Sequence, residues 1–144
     1  MRAVVWLRVA AGLMLLFAIG HTYGFWTFRP HAAEGRAVWD AMNGVNFSEA
    51  GSTFSYGGFY KGFGLSISAT QLFIAWLTWM LASMAKRASN DARTIAWGLF
   101  AVQCVGFVLS LVYFAVPPAV LSALGALCFM MGAVSMPRCD GEGT

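Results

Sequence analysis

From Gly62 to Ala85 the chain runs through two dozen residues without one ionisable side chain. A helix rises about 1.5 Å per residue, so roughly 20 apolar residues cross a hydrocarbon layer of about 30 Å. Three further stretches meet that length: Ala3 to Phe28, broken only by Arg8 and His21, then Thr94 to Val116, and a shorter one from Ala119 to Met136. The expected architecture is all-α: one polytopic membrane domain, 1–144, forming a four-transmembrane-helix bundle. Its spans are 3–28, 62–85, 94–116 and 119–136, with an outer loop 29–61 and a tail 137–144. No alternation of period two is sustained, which disfavours a β-barrel.

Composition points the same way. The chain is 59% hydrophobic and 10% charged, against about 45–50% and about 25% in soluble domains. Its net charge of +3 does not argue for nucleic acid, because the basic residues stand singly beside apolar runs. Arg2 before an apolar run could open a signal peptide, but Ile19-Gly20-His21-Thr22-Tyr23 is a poor cleavage site. The apolar character also continues through Phe25, Trp26 and Phe28, so the first stretch reads as a retained span.

Basic residues mark the cytoplasmic side of a membrane protein. Arg2, Arg8, Lys86, Arg87, Arg93 and Arg138 fall on one side of four crossings, whereas Arg29, Arg36 and Lys61 are diluted by Glu34, Asp40 and Glu49 on the other. The expectation is an inner-membrane protein with both termini cytoplasmic and the long first loop outside. Ser89-Asn90-Asp91 offers a helix cap in the second connection, and the second proline of Pro117-Pro118 suits a first helical position. In the first loop Ala33, Ala37, Val38, Ala41, Met42 and Val45 recur at helical spacing and Arg36 and Asp40 form an i,i+4 pair, predicting a short amphipathic helix on the outer membrane face. Asn46 to Ser52 reads as a turn.

In lipid, helices associate through close backbone approach and a few interhelical hydrogen bonds. Small-residue stripes suited to this are Gly12, Gly20 and Gly24 in the first span, Gly58, Gly62, Ser66 and Thr70 at the second, and Gly98, Gly106 and Ser110 in the third. Gln71 and Gln103 are mid-membrane amides, close enough in depth to bond to one another or to backbone.

His21 is the most informative residue. Counted from Arg8 it lies about 20 Å across the membrane, where ionisable side chains usually face a bundle interior or a polar cavity. Ser66, Ser68, Thr70, Ser110, Tyr23, Tyr60 and Tyr113 fall in the same half. This asymmetry predicts a cavity opening towards the outer leaflet with the first loop as its lid. Candidate ligand-binding residues are His21, Tyr23, Tyr56, Tyr60, Lys61, Ser66, Thr70, Gln71, Gln103 and Tyr113. The tyrosines also suit an interfacial belt, and Lys61 can snorkel outward or bind an anionic lipid head group.

No cofactor or metal is expected. Cys104, Cys128 and Cys139 form no C-x-x-C pair, and His21 and His31 cannot supply the four axial ligands of a two-haem bundle. No phosphate-binding loop, dinucleotide fingerprint or nucleophile elbow occurs. All six acidic residues lie outside the spans, so a proton antiporter would lack its buried carboxylate.

Gly20-His21-Thr22-Tyr23-Gly24-Phe25, followed by Gly51-Ser52-Thr53, Tyr56, Phe59-Tyr60 and Gly62-Phe63-Gly64, resembles a family of small, largely uncharacterised bacterial four-helix membrane proteins. The first span also resembles the DoxX-type proteins more weakly. Where relatives carry a Trp-Asp pair before Phe-Tyr, this chain has Gly57-Gly58. The resemblance implies architecture rather than a reaction. Two kinds of function follow as expectations. One is binding of membrane lipids or a lipophilic small molecule, or service as a subunit of a homo- or hetero-oligomer. The other is a cofactor-independent acid-base isomerase or cyclase using His21 with Tyr60, Glu34, Asp40 or Glu49.

Overall fold

The computed structural model of the protein describes residues 2–87 and 90–137. Arg138, Cys139 and Ser89, used above for topology, redox motif and capping, lie outside the described residues.

The chain is mostly helical, in the order α1 (Arg2–Thr27), α2 (Ala33–Gly44), β1 (Asn46–Glu49), β2 (Ser52–Ser55), α3 (Tyr56–Met84), α4 (Asn90–Tyr113) and α5 (Val116–Val134). A 3₁₀ turn, Ala85–Arg87, follows α3. α1, α3, α4 and α5 are 26, 29, 24 and 19 residues long and apolar enough to cross a membrane. At about 1.5 Å per residue even the shortest approaches the thickness of the hydrocarbon layer. Each is apolar nearly all round, as a helix facing lipid must be.

α3 starts at Tyr56, six residues before the apolar run, because Gly57, Gly58 and Lys61 are all accommodated in its first turns. α5 starts at Val116 with Ala115 as its N-cap, so both prolines sit inside the first turn. Their missing N–H groups are not needed there.

Two compact units divide the chain: residues up to Phe17 with those from Gln71 onward, and Ala18–Thr70. In the first, Leu7 and Met14 of α1, Ile74 and Leu81 of α3, Ala92, Ala96 and Leu99 of α4, and Cys128 and Phe129 of α5 share one core. Here glycines admit large side chains. A Cβ on Gly132 would meet Leu7 at 3.0 Å, and one on Gly125 would meet Met14 Cε at 2.6 Å. Gln103, 2% exposed, donates from Nε2 to Met14 Sδ at 3.1 Å. Gln71 does not bond to it; the Gln71 Oε1 is buried without a partner among the described residues.

In the second unit α1 and α3 run antiparallel, since Phe25 meets Gly64 while His21 and Thr22 meet Ser68. Gly57, Gly64 and Ser68 are the buried small residues of α3 here. The contact stripe is therefore not the expected one. Gly58, Gly62, Ser66 and Thr70 are exposed, and nothing lies within 4 Å of a Cβ built on Gly12, Gly20, Gly24, Gly62 or Gly98. Of the expected stripes, Gly106 and Ser110 of α4 do pack: Ser110 is buried, and a Cβ on Gly106 would meet Ser122 Oγ at 3.5 Å. Glycine recurs on several faces of these helices, so spacing alone could not pick the packed one.

The turn-like segment is a β-hairpin. Strands β1 and β2 pair antiparallel with Phe47 opposite Phe54 and Ser48 opposite Thr53. Ala50 and Gly51 both take positive φ, 49° and 80°, as a tight two-residue turn of matching twist demands. Helix α2 forms where expected, but its half-buried line is Gly35, Trp39 and Met42, while Ala37, Val38 and Ala41 are exposed. Arg36 does not pair with Asp40 and gives Nη1 to the His31 carbonyl at 2.6 Å.

Candidate functional site

Within Ala18–Thr70, the polar centre is built on one heptad-like line of α1. Ala18 is buried, and His21, Thr22 and Phe25 follow on the same side, half-buried. Opposite them Ser68 is 6% exposed. The Ser68 Oγ lies 3.0 Å from His21 Nδ1 and 2.8 Å from Thr22 Oγ1, and Thr22 Oγ1 lies 2.7 Å from the Ala18 carbonyl. The Thr22 hydroxyl has one proton for two acceptors. When it is given to Ser68, the Ser68 proton is available to Nδ1 and the ring carries its proton on Nε2. When it is given to Ala18, Nδ1–H can donate to Ser68 and Nε2 becomes the acceptor. The chain of hydroxyls can thus set either tautomer of a neutral imidazole.

Aromatic rings extend from this centre. Phe25 stacks on His21 with centroids 5.9 Å apart and an interplanar angle of 14°, and Tyr60 lies 5.2 Å from Phe25. Trp39 of α2 meets Tyr60 edge-on at 6.4 Å and Phe28 at 6.0 Å. Gly64 makes the Phe25 position possible, because a Cβ there would fall 2.5 Å from the ring.

Phe25, Trp26, Arg29, Trp39 and Lys61 line a cavity of about 180 Å³. Arg29 follows the end of α1 and donates Nη1 to the carbonyls of Phe28 at 2.7 Å and Trp26 at 3.4 Å, as a cation suits a helix C-terminus. Its guanidinium carbon also stands 5.9 Å over Trp39. Lys61 donates to Asn43 Oδ1 at 3.2 Å, and Asn43 is seated against Gly57, where a Cβ would come within 2.6 Å of that oxygen. This close approach gives Gly57 a structural reason in this chain. Along α3, Gly58, Phe59, Gly62, Phe63 and Ser66, with Phe54 of the hairpin, line an open apolar groove of about 350 Å³.

The sequence candidates separate accordingly. His21, Tyr60 and Lys61 belong to this assembly, the first two through Phe25. Tyr56 packs on Phe47 at 4.8 Å beside the hairpin. Tyr23 is 71% exposed and makes no side-chain hydrogen bond among the described residues. Ser66 lines the groove but donates to the Phe63 carbonyl, and Thr70 donates to the Ser66 carbonyl, each at 2.8 Å. Glu34 and Asp40 are exposed on α2 and Glu49 is exposed in β1. Gln71, Gln103 and Tyr113 belong to the other unit.

Thr22, Phe25, Arg29, Trp39 and Asn43 were not singled out as site residues by sequence. Thr22 and Phe25 stand one residue and one helical turn from His21, which is the signal that could have found them. Arg29, the residue directly after the last apolar residue, could have been found by its place at a helix end. No family model, curated protein or solved structure matches the chain.

Proposed function

We propose that this protein is a four-helix bundle of the bacterial inner membrane that binds a lipid or lipophilic small molecule on its outer-leaflet side. Both termini are then cytoplasmic and the segment carrying α2 and the hairpin lies outside, in accord with the positive-inside rule. The resemblance to small bacterial four-helix membrane proteins belongs to the same proposal.

What carries the reading is the cavity walled by Phe25, Trp26 and Trp39 at the end of α1. Ligand sites are concave, aromatic-rich and furnished with a few polar groups, and α2 supplies one wall as a lid would. The test is mass spectrometry of the gently solubilised protein, with Trp39→Ala and His21→Ala alongside. A lipophile retained by the parent and depleted in Trp39→Ala supports the reading; a parent that carries none overturns it. Depletion in His21→Ala as well would extend the site to the imidazole.

The Thr22–Ser68–His21 chain favours a second reading, an acid-base isomerase or cyclase acting on a membrane-dissolved substrate. Such chemistry needs a base whose proton state is set by a partner, and the paired hydroxyls supply one. Turnover of a candidate substrate that is abolished by His21→Ala and reduced by Ser68→Ala would support it.

A further inference from the structure

We infer that the cavity between α1, α2 and α3 in the Ala18–Thr70 unit is a phosphate site, with Arg29 and Lys61 as its ligands. The inference rests on the lipophile-binding reading and specifies the head group: a phosphate carried by a membrane amphiphile.

The two cations line one small cavity from different elements. Neither is ion-paired with a carboxylate among the described residues. Arg29 spends Nη1 on two backbone carbonyls and Lys61 makes one bond, to Asn43. A guanidinium has five N–H donors and an ammonium three, so Nη2 and Nε of Arg29 and most of the Lys61 ammonium remain to be satisfied. Both side chains are exposed, so water satisfies these donors until an anion displaces it. Both are nevertheless held in place. Asn43 fixes Lys61 from α2, and the Trp39 face together with the Trp26 and Phe28 carbonyls fixes Arg29.

Charge decides the sign of the ligand. The C-terminus of α1 contributes about half a negative charge, which opposes an anion, but two full positive charges outweigh it. Size is compatible with this: a volume of about 180 Å³ is well above the minimum that a water needs and leaves room for one tetrahedral anion. Geometry favours phosphate, since an arginine fork engages two of its oxygens while a lysine engages a third as a point charge. Trp26, 66% exposed at the rim, would meet the glycerol or first methylenes of an attached chain, as interfacial tryptophans do.

The experiment uses the full-length protein in phosphatidylcholine nanodiscs, with ligand binding read by native mass spectrometry. Phosphatidic acid, diacylglycerol and inorganic phosphate are supplied separately. Preferential capture of phosphatidic acid over diacylglycerol, weakened about tenfold by Arg29→Gln or Lys61→Gln and retained in Lys61→Arg, is the expected result. Capture of inorganic phosphate with the same dependence on both cations would also support the site and assign a soluble source. Equal capture of phosphatidic acid and diacylglycerol overturns the phosphate assignment while leaving lipophile binding intact. So does undiminished capture of phosphatidic acid by a folded Arg29→Gln/Lys61→Gln variant. Capture of none of the three overturns the phosphate assignment, and lipophile binding then stands or falls on whether the gently solubilised parent retains a lipophile.

Discussion

Gly64 and Phe25 are in backbone-to-ring contact, so close that a single methyl group on Gly64 would lie 2.5 Å from Cε2 and Cζ of the ring. The ring cannot simply swing aside, because His21 stacks on it and Tyr60 packs against it at a tilt. Gly64→Ala is expected to lower stability by about 1–3 kcal/mol, the usual cost of overpacking, in thermal melts of detergent-solubilised protein. Phe25→Leu should recover part of that loss in the double variant. Strictly additive losses would show that Phe25 is not the obstacle. Gly125→Ala offers the contrast: its obstacle is the terminal methyl of Met14, a flexible side chain that can yield, and the expected cost is below about 1 kcal/mol.

Alanine at Gly12, Gly24 or Gly62 should be neutral or stabilising, by up to about 1 kcal/mol, because each is in a helix and nothing lies within 4 Å of the added methyl. The same melts decide it. A destabilised or dissociated Gly62→Ala variant would mean that another molecule covers this line in the membrane.

Ser68→Ala removes the group shared by His21 and Thr22. A loss of about 0.5–1.5 kcal/mol is expected, accompanied by a changed tautomer ratio in the ¹⁵N spectrum of the His21 ring. Thr22→Val should alter the same ratio by removing the hydroxyl that feeds Ser68. If neither spectrum changes, the hydroxyl chain does not set the imidazole proton.

Ala50 holds φ of 49° at the hairpin turn, a conformation that costs a residue with a Cβ roughly 1–2 kcal/mol. Ala50→Asn creates the Asn-Gly pair favoured in such turns. Amide exchange in β1 and β2 should slow several-fold while the melting temperature of the whole protein barely moves, since the hairpin is exposed. Unchanged exchange would indicate that the turn geometry is not limiting.

The long helices were legible because lipid imposes a length and an apolar composition that no soluble element shares. Their ends shifted by up to six residues, most at α3, where Gly57, Gly58 and Lys61 hid a helical first turn. The hairpin was illegible for a different reason. Its strands have four residues each and its turn lacks the Asn-Gly signal, so periodicity had too little to count. Trp39 was overlooked because the apolar residues of α2 cover more than half its circumference, and sequence could not say which facet faces the protein. His21 was found from its cost in a membrane. Ser68 was noticed as one of several hydroxyls, and only the antiparallel pairing of α1 and α3 singles it out from Ser66 and Thr70.

The rings of Trp39, Tyr60, Phe25 and His21 come from α2, α3 and α1 and touch in sequence. A run of ring contacts therefore links α2 to His21. Magnetically, the imidazole is a built-in reporter: its carbon-bound protons sit near the face of Phe25, which packs on Tyr60, itself the neighbour of Trp39. Shifts in two proton resonances of one histidine would test whether α2 docks and departs, with no probe attached to the helix itself.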